Sequence, residues 1–565
     1  MNSTVQKDKY TIARQERQNH VDAVVRAAAS KKLVVAGPGT GKTDLFKTVL
    51  QGKTNTLTLT FVNALVEDLS LELFGLSDVK TLHGFARSQL ERATRKTVRV
   101  FAKLSRVIKQ DAEILLGAGI DFDNLFHNRE DTDSRLDFYK KRRKYYDHYG
   151  FSDLVYAAVL YFERNEDRIP SYSQVVVDEF QDFNALEVSL IDLLARRSPV
   201  LLAGDDDQAL YESLKSASPR HIRQRHAGEM GSYACFNLPY CSRSTRVIVE
   251  ASNDTIASAK ENGLLLGRID KPFWYFQDAE KDAVSDANPQ VVHSRVFAKQ
   301  IPWFIQKHIT DITRQIRGKF TVLILSPTRT QCRGIYEALK SKGFQNVHFA
   351  DKTESDEPSL LDGLKLLLLD DKCNLGWRVV SREILDAPDF DALLRQSDGQ
   401  GETGKLVAMV SPSLKKQVGR MLTALRRVQD GKELVDNQVS ELLGEIGIDA
   451  FGVATQSLRD KLESANQRLV DPGIRRTSIV VTTIQSSKGL AADYVFITHL
   501  DNRYCVRDKD KGISDQDVCS FLVALTRARR RVYLLSTDKS QTATFLTWID
   551  KSRICEVQSP GAGDA

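Results

Sequence analysis

Residues 33–43, Leu33-Val34-Val35-Ala36-Gly37-Pro38-Gly39-Thr40-Gly41-Lys42-Thr43, carry an apolar run into a glycine-rich turn and then into Lys-Thr. That order of residue types suits a nucleoside triphosphate. Glycines let backbone N–H groups close around phosphates, the lysine reaches the β- and γ-phosphates, and the threonine hydroxyl ligates Mg²⁺. Ala36, Gly37, Gly39, Thr40 and Gly41 are therefore the candidate cradle, Lys42 the phosphate cation, and Thr43 a metal ligand. Ala36 stands where such turns often begin with glycine, which the geometry tolerates.

Two further segments place acids just after apolar runs. In Val175-Val176-Val177-Asp178-Glu179-Phe180-Gln181-Asp182, Asp178 is the candidate for Mg²⁺ and Glu179 for the general base that polarises water. In Leu201-Leu202-Ala203-Gly204-Asp205-Asp206-Asp207-Gln208, three consecutive acids read as a solvated loop or a cation site. Gln208 is the sharper candidate, because an amide can hydrogen-bond both a γ-phosphate and the attacking water. Arg243 and Arg527 are candidate arginine fingers, which neutralise charge that spreads over a transferring phosphoryl group.

Such groups need strand ends to hold them. Apolar runs at 33–37, 56–61, 175–179, 200–205, 321–326, 478–483, 494–500 and 531–536 alternate with amphipathic stretches. This alternation predicts parallel α/β layers with ligand groups at the strand ends. Two intervals break the pattern. Residues 88–170 are helical in period and basic, with Arg92, Arg95, Lys96, Arg99, Lys103, Arg106 and Lys109, then the run Lys140-Lys141-Arg142-Arg143-Lys144. Residues 352–474 are again largely helical and polar. Both read as insertions into α/β cores. The basic stretches suit a surface that tracks a phosphate backbone, or else solvated helix faces.

Composition sets wider bounds. At 565 residues the chain exceeds one hydrophobic core, and 42% hydrophobic with 27% charged residues is ordinary for a globular protein. The net charge of +6, from 80 basic and 74 acidic residues, neither demands nor excludes a polyanion. Seven scattered cysteines form no CxxC pair, so neither a zinc site nor an iron–sulfur cluster is indicated. No apolar run approaches the roughly 18 residues of a membrane span, and the N-terminus lacks the apolar core of a secretory signal. A cytoplasmic protein with no membrane partner is expected.

Together these segments resemble, in order and spacing, the UvrD/Rep/PcrA group of superfamily 1 DNA helicases. The resemblance runs from AGPGTGKT (36–43) through TLTFVNALVEDL (58–69), TLHGFA (81–86), VVVDEFQD (175–182) and AGDDDQALY (203–211). It continues through LPYCSRST (238–245), TTIQSSKGLAADYVFI (482–497) and FLVALTRARRRVYLL (521–535). It implies two RecA-like P-loop NTPase domains, each with a mostly helical insertion. Residues 1–87 and 171–240 would form the first domain and 88–170 its insertion. Residues 241–351 and 475–540 would form the second, 352–474 its short insertion, and 541–565 a C-terminal tail.

By the same resemblance, Gln18 reads adenine, with Gln15 as a rival, and Gly489 lies on the phosphate side of a second-domain loop. Thr60, Phe61, Asn63 and His83 would line a single-stranded DNA path, joined by Thr482 and Thr483 from the second domain. Phe61 reads equally as core and His83 also as a structural histidine. The implied activity is an ATP- and Mg²⁺-dependent translocase or helicase on single-stranded DNA and single/double-strand junctions, moving 3′ to 5′. The alternative is a nucleotide- or DNA-end-sensing ATPase subunit that regulates a partner nuclease, for example in anti-phage defence, with little processive unwinding; DNA repair and anti-phage defence both stay open as the setting.

The departures are specific. Cys241 and Ser242 stand where the family often has Asn-Tyr, whose tyrosine stacks on adenine; Tyr240 is one residue away. Ala491 replaces an acid that bonds the ribose, and Gln485 replaces a histidine. Looser base and sugar selection is expected beside complete phosphate chemistry. The aromatic that follows the glutamine motif is also replaced, at Glu212 to Lys215, so translocation is expected to outweigh base-flipping in unwinding.

Overall fold

The structure is a computed structural model that describes residues 2–60, 63–210, 217–316, 318–344, 346–350, 357–401, 403–429, 477–538 and 541–558. The chain forms two compact units, one from residues 1–85, 161–352 and 475–565, the other from 86–160 and 353–474.

The first unit holds two parallel sheets. In the first sheet, β1 (Lys31–Ala36), β2 (Thr56–Thr60), β3 (Asp78–Thr81), β4 (Gln174–Val177), β5 (Val200–Gly204) and β6 (Ala234–Leu238) run in the order β3-β2-β4-β5-β1-β6. A short pair follows, β7 (Tyr240–Cys241) with β8 (Trp274–Tyr275). The second sheet comprises β9 (Val291–Arg295), β10 (Phe320–Ser326), β11 (Val347–Phe349), β12 (Thr477–Thr483), β13 (Ala492–Ile497), β14 (Ala528–Ser536) and β15 (Ile554–Glu556). Its order is β11-β12-β10-β13-β14-β9-β15.

Near-continuous apolar strands are what a sheet covered by helices on both faces requires. In the second sheet, Leu323, Leu325, Val495, Ile497, Val532 and Leu534 face one core. Val322, Ile324, Phe496, Tyr533 and Leu535 face the other. The chain is thus an α/β protein with two RecA-like layers, and the helices of each cover both faces.

Register decides what the strand ends can do. β1 pairs with β5 so that Val35 lies opposite Gly204, and β4 pairs with β5 so that Val177 lies opposite Leu202. The P-loop and the acids after β4 and β5 therefore emerge at one edge of the sheet.

The C-terminal stretch departs from the expected tail. Ile554–Glu556 pairs with β9, from Ile554↔Val291 to Glu556↔His293, and Phe545 and Trp548 are buried in the core that Leu323 and Val495 face. A three-residue strand has too little periodicity to announce itself; the apolar partner it covers decides its place. The segment QSPGAGDA lies almost wholly outside the described residues.

In the second unit, described residues of both insertions share one core. Asp111, on the helix Leu104–Leu115, accepts from Arg142 Nε at 2.9 Å and Arg378 Nε at 2.9 Å, and from the Tyr146 hydroxyl at 2.6 Å. All four side chains are buried. Arg378 lies on Asn374–Ile384, so a carboxylate of one insertion is completed by an arginine of the other.

Candidate active site

β1 ends at Ala36, and the turn beyond it uses left-handed backbone at Gly39 (φ +71°) and Gly41 (φ +96°), which a side chain would strain. The Thr40 hydroxyl donates to the Gly37 carbonyl at 2.9 Å and fixes the loop. Lys42 and Thr43 open the helix Lys42–Leu50. Lys42 Nζ lies 3.0 Å from Glu179 Oε1 and 3.9 Å from Asp178 Oδ1. Burial pulls the lysine pKa down, but Glu179 and Asp178 outweigh it and hold it above its ordinary value.

Glu179 itself sits at φ +54°, an uncommon place for a side chain. Burial pushes its pKa up, yet Lys42 and Lys488, with the amide of Gln181, hold it far below the usual carboxylate range. Asp178 goes the other way: burial raises its pKa, and Lys42 only partly offsets that. A hydroxyl, two carboxylates and an ammonium beside a turn with positive-φ glycines form a donor set that fits a Mg²⁺–triphosphate.

The second acidic segment is no solvated loop. Asp205, Asp206 and Asp207 are all buried. The cation they face is a lysine: Lys271 Nζ lies 2.9 Å from Asp205, 3.0 Å from Asp207, and in contact with Asp206. Arg268 adds a 2.8 Å pair with Asp207, and Arg223 a 3.0 Å pair with Asp206. The three carboxylates raise the Lys271 pKa well above normal despite its burial.

Gln208 is held on every side. Its Nε2 donates to Asp205 Oδ2 at 2.7 Å, its Oε1 accepts from Arg527 Nη2 at 3.0 Å, and its carbonyl accepts from Lys488 Nζ at 2.7 Å. Arg527 also donates to the carbonyls of Val523 and Leu490. Burial, then the neighbouring Arg243, push the Arg527 pKa down to about 9. Ser244 and Thr245 hang on the β14 backbone, through the carbonyls of Ala528 and Arg530. This holds Arg243 in place, and a Cβ added to Gly39 would lie 2.3 Å from the Arg243 Cβ. Burial lowers the Arg243 pKa. Lys42, Asp178, Glu179, Gln208, Arg243 and Arg527 are thus brought together, from both sheets.

Several residues here carry no role in the sequence reading. Gln181 donates to Glu179 at 2.6 Å and accepts the Asp205 N–H at 2.9 Å, which ties the ends of β4 and β5. Lys488 pairs with Asp182, lies 3.6 Å from Glu179, and is followed by Gly489 at φ +85°. The signal for Lys488 was its place in SSKGL. Lys271 had none, since its partners lie more than sixty residues away.

On the base side, Gln18 and Gln15 are exposed and bond along their own helix, to Asp22 at 2.8 Å and Asn19 at 3.0 Å. Arg17 is the residue of this helix at the P-loop: its Nη2 lies 3.5 Å from Asp44. Ser242 turns inward, donating both its N–H (2.9 Å) and its hydroxyl (3.1 Å) to the Gly39 carbonyl.

The nucleic-acid candidates are less uniform. Thr60 ends β2, and its buried Oγ1 has no hydrogen-bond partner among the described residues. His83 Nε2 lies 3.9 Å from Glu187. Thr482 donates to the Ala350 carbonyl at 2.7 Å, and Thr483 to Ser486 at 3.1 Å. Phe61 lies outside the described residues, as does the side chain of Asn63. In the basic run, Arg142 is buried on Asp111, Arg143 stacks on Tyr149 at 4.1 Å, and Lys141 pairs with Asp398 at 3.1 Å. Much of that charge is neutralised within its own unit.

Two parallel α/β sheets, a P-loop, strand-end acids and arginines presented by the second sheet define a P-loop NTPase with paired RecA-like domains. Residues 20–214 match the AAA domain family. The chain is 26% identical to the ATP-dependent DNA helicase PcrA of Leuconostoc citreum over 34% of its length and 24% of the relative's. It is 33% identical to DNA helicase II of Escherichia coli over 18% of its length and 13% of the relative's. A longer match, to the probable DNA helicase II homolog of Mycoplasma genitalium, is 20% identical over 74% of this chain and 63% of that one. Each match spans less than two thirds of the relative's own length. With the ordered motifs, these matches support a likeness to the UvrD-like helicases of superfamily 1. Among the described residues, no helix is long and apolar enough to cross a membrane.

Proposed function

We propose that this protein is an ATP-driven translocase on single-stranded DNA, with strand separation at single/double-strand junctions and 3′-to-5′ polarity. The observation that carries the reading is Gln208. It belongs to the end of β5, yet Arg527 and Lys488 of the second sheet grip it, and Lys488 also pairs with Asp182 beside the catalytic acid.

Lys42 holds the β- and γ-phosphates, and Thr43 with Asp178 holds Mg²⁺. When bound, the ion neutralises developing charge on the phosphate oxygens. Glu179, its charge favoured by Lys42 and Lys488, takes the proton of the attacking water, which Gln208 orients. Arg243 and Arg527 stabilise the charge spreading over the transferred group. Because these groups come from two sheets, turnover requires closure. Thr60 and His83, with Thr482 and Thr483, line the strand path, so a bound strand favours closure and closure advances the strand. Relatives named DNA helicases support this assignment.

ATPase assays with and without single-stranded DNA test it, with marked stimulation expected. Turnover indifferent to DNA would sink the motor. Strand displacement on 3′-tailed and 5′-tailed duplexes then reads polarity. Stimulated ATPase without displacement on either would favour the nuclease-regulating alternative.

A further inference from the structure

Among the described residues, the base side of the cleft has few groups able to read a base edge. Gln15 and Gln18 direct their amides at Asn19 and Asp22, and Ser242 directs its hydroxyl at Gly39. Tyr240 is tied by its hydroxyl to Glu16 at 2.7 Å and packs edge-on or tilted against its ring neighbours, His20 at 5.9 Å and Trp274 at 5.4 Å between centroids. What does face the P-loop is a guanidinium. A Cβ added to Gly41 would lie 2.6 Å from Arg17 Nη2, so the group rests against the turn itself. Its carbon stands 5.2 Å from the ring centroid of Phe276, which packs 6.4 Å from Tyr240. The Phe276 N–H donates to the Cys241 carbonyl at 3.1 Å, and β8 just before it pairs with β7, so the supporting ring is fixed to the strand that leads into Arg243.

Resting on the reading of this cleft as a nucleoside triphosphate site, we propose that Arg17, backed by Phe276, is its base-side clamp. The clamp stacks a guanidinium on the nucleobase, so purine and pyrimidine nucleoside triphosphates are accepted alike. A flat cation meets the π-face that every base has, whereas discrimination needs donors and acceptors aimed at the base edge. Affinity in this site comes from the phosphate contacts, and the base contributes a contact that is the same in kind for all four nucleotides.

Calorimetric titration of the full chain with the non-hydrolysable imido analogues of ATP, GTP, CTP and UTP, in Mg²⁺, tests the clamp by binding alone. The four Kd values are expected within about tenfold of one another, and Arg17→Ala is expected to weaken all four by about fivefold to tenfold. Arg17→Lys should resemble Arg17→Ala, because an ammonium keeps the charge and loses the plane. A preference for one base beyond about tenfold overturns the proposal. So does unchanged affinity in Arg17→Ala, whose far-UV spectrum and Tm confirm its fold. Lys42→Ala, titrated in parallel, keeps the underlying reading separate. If the unmodified chain binds none of the four, the nucleotide-site reading fails. If Lys42→Ala weakens binding and Arg17→Ala does not, only the clamp falls.

Discussion

The two walls of the nucleotide cleft are built on opposite plans. Along the phosphate wall, Asp182, Lys488, Gln208 and Arg527 are buried, and each makes at least one bond to a residue of the other sheet. Along the base wall, Arg17 keeps 28% of its side chain exposed, Trp274 is 49% exposed, and the glutamines point to solvent. Phosphoryl transfer needs charges that are already in place, because reorienting dipoles during reaction is costly. A base that only has to be covered makes no such demand. The same cleft is therefore densely bonded on its phosphate side and sparsely bonded on its base side.

The comparison can be broken from its strong side first. Lys42→Ala and Arg527→Ala should each lower the steady-state ATPase rate by about a thousandfold or more. A loss under tenfold would show that the buried wall is scaffolding. Lys271→Met leaves three buried carboxylates without their shared ammonium, and their remaining ion pairs among the described residues are those with Arg268 and Arg223. Denaturant unfolding should reveal a loss of about 3–5 kcal/mol, and equal stability would mean that the cluster adjusts.

Acidity probes the same wall more gently. Burial raises the Asp182 pKa to about 6 even with Lys488 beside it. The carboxylate is ionised above that value and becomes protonated as pH falls through it, releasing Lys488. ATPase turnover should drop about tenfold between pH 7 and pH 5, and Asp182→Asn should flatten that limb while lowering the rate at pH 7. A pH profile identical in the variant would assign the limb to another group. Smallest of all is the base wall: Arg17→Ala should shift nucleotide affinity by only about fivefold to tenfold.

Much of the fold could be read from apolar runs, because strands covered on both faces must be hydrophobic throughout: Leu33–Ala36, Val175–Val177 and Val200–Ala203 all became central strands. β3 (DVKT) and β6 (ACFNL) escaped notice because they lie at sheet edges, where half-exposed residues erase the signal. Arg142 misled for the reverse reason. A run of basic residues looks solvated until one of them finds a buried carboxylate, here Asp111, supplied from thirty-one residues away.

What the sequence determined by itself was the local chemistry. Glycines at positive φ, Lys-Thr at a helix start and acids after apolar runs act through neighbours in the chain, and their spacing is enough to announce a phosphate cradle. Tertiary structure decided everything that depends on long-range approach. It set Lys271 among three aspartates, joined Lys488 to Asp182 and Gln208, gave Arg17 rather than Gln18 the place beside the P-loop, and enlisted Ile554–Glu556 in a sheet. Those outcomes depend on which strand ends share an edge, and no local pattern encodes the register that brings them together.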